Sequence, residues 1–135
     1  MLIVISYNNP EPIFRQIMEQ IKIAIAAGDL KENEKLPSIR EMAQELKVSV
    51  ITVKRAYTDL EAESYLVTRP GLGSFVASIS RTDLKEEKRN DIKRNLMDMI
   101  DSAEQYGITA EEIMDLLASI DSERKGKENG ENSNL

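Results

Sequence analysis

Lys54 and Arg55 stand beside the hydroxyls of Ser49, Thr52 and Thr58 and the branched aliphatics Val50 and Ile51. Val53, Ala56, Tyr57 and Leu60 recur through the same stretch at i, i+3, i+4 and i+7. At about 100° per residue, a helix that buries those four turns Ile51, Thr52, Lys54, Arg55 and Thr58 outward. Cations, hydroxyls and one exposed aliphatic together match what a nucleic-acid major groove offers: phosphates at its rims, acceptors on purines and methyl groups on thymines. An ordinary solvated helix face could carry a similar set, so the elements around the helix have to decide.

Those elements are ordered as a reading head would need. Ser38 follows Pro37 and precedes Glu41 by three residues, the spacing of a capping box that opens a helix. Ile39, Met42, Ala43 and Leu46 give that helix one apolar face, and Ser49 offers a cap for the next. Two short helices with so brief a connection predict a helix-turn-helix. Strand-like runs at Tyr65–Arg69 and Ser74–Ala77 flank Pro70-Gly71-Leu72-Gly73, whose glycines can take positive φ at a hairpin tip. A hairpin directly after the second helix makes a winged helix. Its tip carries Arg69 and nearly bare backbone, able to approach a phosphate strand or a minor groove.

The stretches LPSIREMAQEL, VSVITVKRAYTDLE and RPGLGSFV resemble the GntR family of bacterial transcription regulators over about residues 8–80. A short two-helix extension, in place of a large ligand-binding domain, resembles its YtrA-type subfamily. The resemblance implies DNA contacts at Arg40, Ser49, Thr52, Lys54, Arg69 and Gly71. Ser38, Val50, Ile51 and Arg55 complete the candidate DNA-binding set. Two positions depart from the family pattern. Val50 and Ile51 stand where many members carry a polar residue after the cap, so an apolar contact to a thymine methyl is expected there. Ser64 stands where members often place a helix-terminating glycine. The resemblance also implies a repressor controlling a neighbouring transporter operon.

The net charge of −6 is an unpromising total for a nucleic-acid partner, but it is unevenly spread. Residues 37–81 hold 6 basic and 5 acidic side chains, whereas residues 82–135 hold 8 and 14. Phosphates respond to charge within a Debye length of roughly 8 Å at physiological salt, so the acidic end does not oppose binding by the candidate head. A nearly neutral head predicts modest affinity for one copy and therefore a dimer. The chain has no His and no Cys, and no glycine-rich phosphate loop. No nucleophile and base can be assembled, so neither catalysis nor a cofactor is expected. Carboxylates such as Asp98, Asp101 and Glu104 read as a solvated face, with no metal site. No signal peptide or membrane-length apolar run is evident, which predicts a cytoplasmic protein.

Before the head, Leu2–Ile5 is a short apolar run that could extend the wing sheet or pack on the first helix. Pro12 opens that helix and Gly28 closes it, with Ile13, Ile17, Ile21 and Ile25 as a core stripe. Residues 29–35 read as a polar connector, whose Lys31 and Lys35 read first as solubilising, with a phosphate contact as the alternative. After the wing, Ile92, Leu96, Met99, Ile100 and Ala103 face one side of a helix ended by Gly107. Thr109 and Glu112 form another capping box, and Ile113, Leu116, Leu117 and Ile120 line a last amphipathic helix. These nine apolar positions are the candidate dimer interface; folding back onto the same chain's head is the alternative.

The expected organisation is mainly α with a small β-wing. A winged helix-turn-helix over 1–79 precedes a two-helix dimerisation appendage over 80–121 and a disordered tail over 122–135. The expected partners are double-stranded DNA and a second copy, with no membrane; the sequence does not define a small-molecule effector. The competing class is a winged-helix protein-docking module that binds no nucleic acid.

Overall fold

The structure, a computed structural model, describes residues 1–79 and 81–133, with Arg81 and residues 129–133 described by backbone alone. The described residues form five helices and one two-stranded antiparallel sheet. They divide into two compact units, 1–86 and 87–135.

In the first unit, α1 (Ile13–Ala27) follows Pro12 and ends at Gly28, whose φ of 82° allows its amide to reach back to Ala24 and Ile25 carbonyls. Its isoleucine stripe is the centre of the core: Ile17, Ile21 and Ile25 are buried against α2 (Ile39–Leu46) and α3 (Val50–Ala62). The chain start does not join the sheet. Gln16 and Gln20, one turn apart on α1, reach it with their side-chain amides. Gln20 accepts from the Val4 amide and donates to the Val4 carbonyl, both at 2.8 Å. Gln16 accepts from the Ser6 amide at 2.9 Å and donates to the carbonyls of Ser6 and Glu11. Two glutamines thus replace a β-ladder, and Gln16 is buried in doing so.

The helix-turn-helix forms as its caps predict. Ser38 Oγ accepts the Glu41 amide and Ser49 Oγ accepts the Thr52 amide, each at 3.1 Å. Between them Lys47 takes φ 57°, which lets the Val48 amide close on the Ala43 carbonyl at 3.0 Å. Ser64, in place of a glycine, adopts φ 67° just beyond α3, and the Tyr65 amide returns to the Leu60 carbonyl at 2.8 Å. The wing is β1 (Leu66–Arg69) paired with β2 (Gly73–Val76), each shifted by one residue from the predicted run at one or both ends.

A third edge to the wing was not expected. The connector read as polar and free lies along β2: Leu36 donates to the Ser74 carbonyl, Val76 to that of Glu34, and Asn33 to that of Val76, all at 2.9 Å. Period-two alternation then sorts the sheet. Leu36, Leu66 and Val76 enter the core. Lys35 pairs with Phe75, Phe75 with Val67, and Arg69 with Gly73, so these residues share the outer face.

The first unit ends within α4, which runs Arg81–Glu104, and the second holds the rest of that helix and α5, Ala110–Ser133. Ser80, part of the predicted boundary, lies outside the described residues. Gly107, at φ 77°, turns the chain between the helices. Thr109 and Glu112 cap each other reciprocally, both bonds being 3.2 Å. Helical backbone continues through residues 122–133, which the sequence assigned to a disordered tail. Loss of apolar periodicity is not loss of helix propensity, and Glu123, Arg124 and Lys125 are good helix formers. Lys125 also lies 3.0 Å from Asp121 at i, i+4. No helix among the described residues is long and apolar enough to cross a membrane.

Candidate nucleic-acid interface

The interface is built on α3, whose buried side is Val53, Ala56, Tyr57 and Leu60, as the spacing requires. Tyr57 also ties the two helices of the motif together. Its hydroxyl donates to the Pro37 carbonyl at 2.7 Å, immediately before α2. Burial pushes its phenol well above the ordinary tyrosine range, with the Glu41 charge adding to the effect. It is therefore held neutral as a donor. At the far end, Glu61 accepts from the Thr68 hydroxyl at 3.0 Å, and Lys22 meets Glu63 at 3.3 Å while lying over the Tyr65 ring. These contacts fix α3 against the wing and α1.

With α3 held this way, Ile51, Lys54, Arg55 and Thr58 are exposed and Thr52 is half-buried. Val50 is exposed too, which its place in the first turn explains. Ser49 and Thr52 hydroxyls share a hydrogen bond of 2.7 Å, so the two candidate backbone-binding hydroxyls are coupled. Ser38 and Arg40 are exposed at the start of α2, so the two helix starts contribute neighbouring candidates in sequence order. Lys54 forms no ion pair among the described residues, but Arg55 is engaged. Its guanidinium lies 3.8 Å from the Phe14 ring centre and 4.0 Å from Asp59. Arg55 is thus braced over α1, leaving Lys54 as the unengaged cation of α3.

The wing supplies the rest. Gly71, at φ 74°, and Gly73, at φ 118°, form the tip, closed by the Leu72 amide on the Arg69 carbonyl. The Arg69 guanidinium lies 4.3 Å over the Phe75 ring and donates to Asn33 Oδ1 at 3.2 Å. Lys35 crosses the bare backbone of Gly73: a Cβ built there would stand 3.0 Å from Lys35 Cε. Two cations therefore share the wing's outer face, and among the described residues neither has an acidic partner. Lys35, read first as solubilising with a phosphate contact as the alternative, and Asn33, given no role, join the candidate face because of a pairing between chain segments some forty residues apart. The alternation of Lys35 with Leu36 ahead of Pro37 was the available signal.

On α4, Ile92, Leu96 and Met99 are exposed and Ile100 and Ala103 half-buried; on α5, Leu116, Leu117 and Ile120 are exposed and Ile113 half-buried. The predicted interface residues thus keep open apolar surface within one chain.

The family profile described as bacterial regulatory proteins, gntR family, matches residues 14–76. The HTH-type transcriptional repressor YtrA of Bacillus subtilis (strain 168) is 33% identical over 125 residues, spanning 93% of this chain and 96% of that one. The chain belongs to the GntR family. Its fold agrees with that assignment across most of its length. A transcriptional regulator from Oenococcus oeni superposes with a TM-score of 0.66 at 29% identity, over 86% of this chain and 96% of that one. YtrA from Sulfolobus acidocaldarius, a GntR-family transcription factor, gives 0.60 at 37% identity, over 72% and 99%. This GntR protein is accordingly a DNA-binding transcription regulator built on a winged helix.

Proposed function

We propose that the protein is a dimeric repressor that acts in the cytoplasm by occupying an inverted-repeat operator. The observation that carries this is the pairing of a complete reading head with an appendage whose apolar faces stay open in the single chain. A second copy covers those faces, and a two-fold axis sets two heads about one helical turn apart, roughly 34 Å, or a multiple of it. Repression rather than activation is supported by the name of the Bacillus subtilis relative.

The residues divide the work. Lys54 reaches a phosphate or a guanine from α3, and Arg40 a phosphate from the start of α2. Ser38, Ser49 and Thr52 bind backbone oxygens at the helix starts, where the helix dipole favours anions. Arg55 adds charge at the α1 side. Gly71 lets the wing tip approach the flanking groove, with Arg69 and Lys35 as its cations. Duplex selection from a random inverted-repeat library, followed by mobility shift, tests the proposal. A paired complex that weakens steeply with salt is expected, because displaced counterions accompany phosphate contacts. Lys35→Ala should lower the slope of log K against log salt by about one unit while leaving base preference unchanged. Undiminished binding by an Arg40→Ala, Lys54→Ala double variant would overturn the assignment of the head, and binding indifferent to salt would favour a protein-docking role.

A further inference from the structure

The first turn of α3 combines two properties that are unusual together. In helix-turn-helix proteins the first residues of the second helix meet base edges, and here they present hydrocarbon: Ile51 is 80% exposed and Val50 47% exposed. The neighbouring hydroxyls are bonded to each other, which leaves one O–H proton between them for a phosphate oxygen. The Thr52 amide is given to Ser49 Oγ at 3.1 Å, and the Ser49 and Thr52 hydroxyls share their 2.7 Å hydrogen bond. Both helix-start hydroxyls are thus turned toward the cap. A side chain without donors or acceptors cannot distinguish purine edges by hydrogen bonding. The major groove offers one apolar group, the methyl on C5 of a pyrimidine, carried by thymine and by 5-methylcytosine.

From this arrangement we infer that Ile51, with Val50 beside it, reads a pyrimidine C5 methyl in each operator half-site. This rests on the operator-binding function proposed above and specifies the chemistry that function recognises. Ile51 also has the exposure such a role requires, since its apolar surface is free to be covered by the groove. Covering one methyl group is worth about fourfold in affinity. Two equivalent half-sites on a dimer give about sixteenfold when the contributions add.

The probe is the inverted-repeat duplex selected by the wild-type protein, resynthesised with single thymines replaced by deoxyuridine, a change that removes the methyl and nothing else. One or two positions per half-site should weaken binding about fourfold, and symmetric replacement about sixteenfold. In a second arm, cytosine and 5-methylcytosine are compared at the sensitive position, where the methylated base should bind about fourfold better. An effect in the first arm alone assigns the contact to thymine. Ile51→Ala should erase the methyl effect while keeping salt-dependent binding, and Ile51→Ala, Val50→Ala should erase any remainder. Both positions are exposed, and circular dichroism verifies that the variants fold. Equal affinity for thymine and deoxyuridine throughout the half-site would overturn the inference, as would a methyl effect that persists in the double variant. Failure to select any duplex would instead remove the operator-binding function itself, and this assignment with it.

Discussion

The two units of this chain treat their apolar residues in opposite ways. In residues 1–86, Ile17, Ile21, Leu36, Val53, Leu60 and Val76 are almost wholly removed from water, and the chain start is tied down by Gln16 and Gln20. In residues 87–135, no described residue is buried, although Ile92, Leu96, Met99, Leu116, Leu117 and Ile120 recur at helical spacing. The same amphipathic pattern therefore has two meanings. Where three helices and a sheet converge, it makes a core; on a pair of helices alone, it leaves a surface to be covered. The first unit satisfies itself, and the second is the part whose stability depends on protein concentration under the proposed dimer.

The largest test of that contrast compares leucines. Leu60→Ala removes a fully buried side chain and should lower unfolding free energy by about 2–5 kcal/mol. Leu117→Ala, at a residue 62% exposed, should leave the first unit's stability within about 0.5 kcal/mol, as surface changes do. Urea denaturation followed by tyrosine fluorescence measures both, and equal losses would abolish the distinction. Next in size, Leu96→Asp with Leu117→Asp places charges on the open faces. It should shift sedimentation from dimer to monomer and weaken operator binding, with the first unit's circular dichroism retained.

Within the first unit, Gln16→Ala should cost about 1–3 kcal/mol, because the Ser6 amide and the Ser6 and Glu11 carbonyls lose their partner. Hydrogen exchange should then show the first residues opening before the helices. Tyr57 gives a pH test. Its folded pKa is raised, so its contribution is complete below the ordinary tyrosine pKa of about 10 and declines as pH rises through and beyond that value. Above it the unfolded chain loses the phenolic proton while the folded chain keeps it. Tyr57→Phe should flatten this alkaline decline and cost about 1 kcal/mol at neutral pH, from the lost bond to Pro37. Smallest is Ser64→Gly. Relief at φ 67°, partly offset by the greater freedom of glycine when unfolded, should raise stability by up to about 1 kcal/mol in thermal unfolding.

Local chemistry carried most of what was legible from residues alone. Ser38 and Ser49 announce their helices because a hydroxyl before a helix has unpaired amides within reach. Gly28, Gly71 and Gly107 mark their turns because positive φ is accessible to them without a Cβ clash. Burial of Val53 and exposure of Lys54 follow from helical period. At three sites that logic was insufficient. The connector became a sheet edge, Arg55 was drawn over Phe14, and the backbone of α5 continued past its apolar stripe. Each outcome depends on something outside a short window: a strand from elsewhere, a ring on another helix, or propensity persisting where amphipathicity ends.

By itself, then, the order of residues determined the caps, the turns, the buried side of each helix in the head and hence the outward set at Ile51, Lys54, Arg55 and Thr58. These are consequences of bonds and periods spanning a few residues. Tertiary structure decided that Lys35 joins Arg69 on one face of the wing, that Gln16 and Gln20 hold the chain start, and that Arg55 lies over Phe14. Those outcomes depend on which distant surfaces meet, and side-chain spacing along one segment does not encode what lies opposite it.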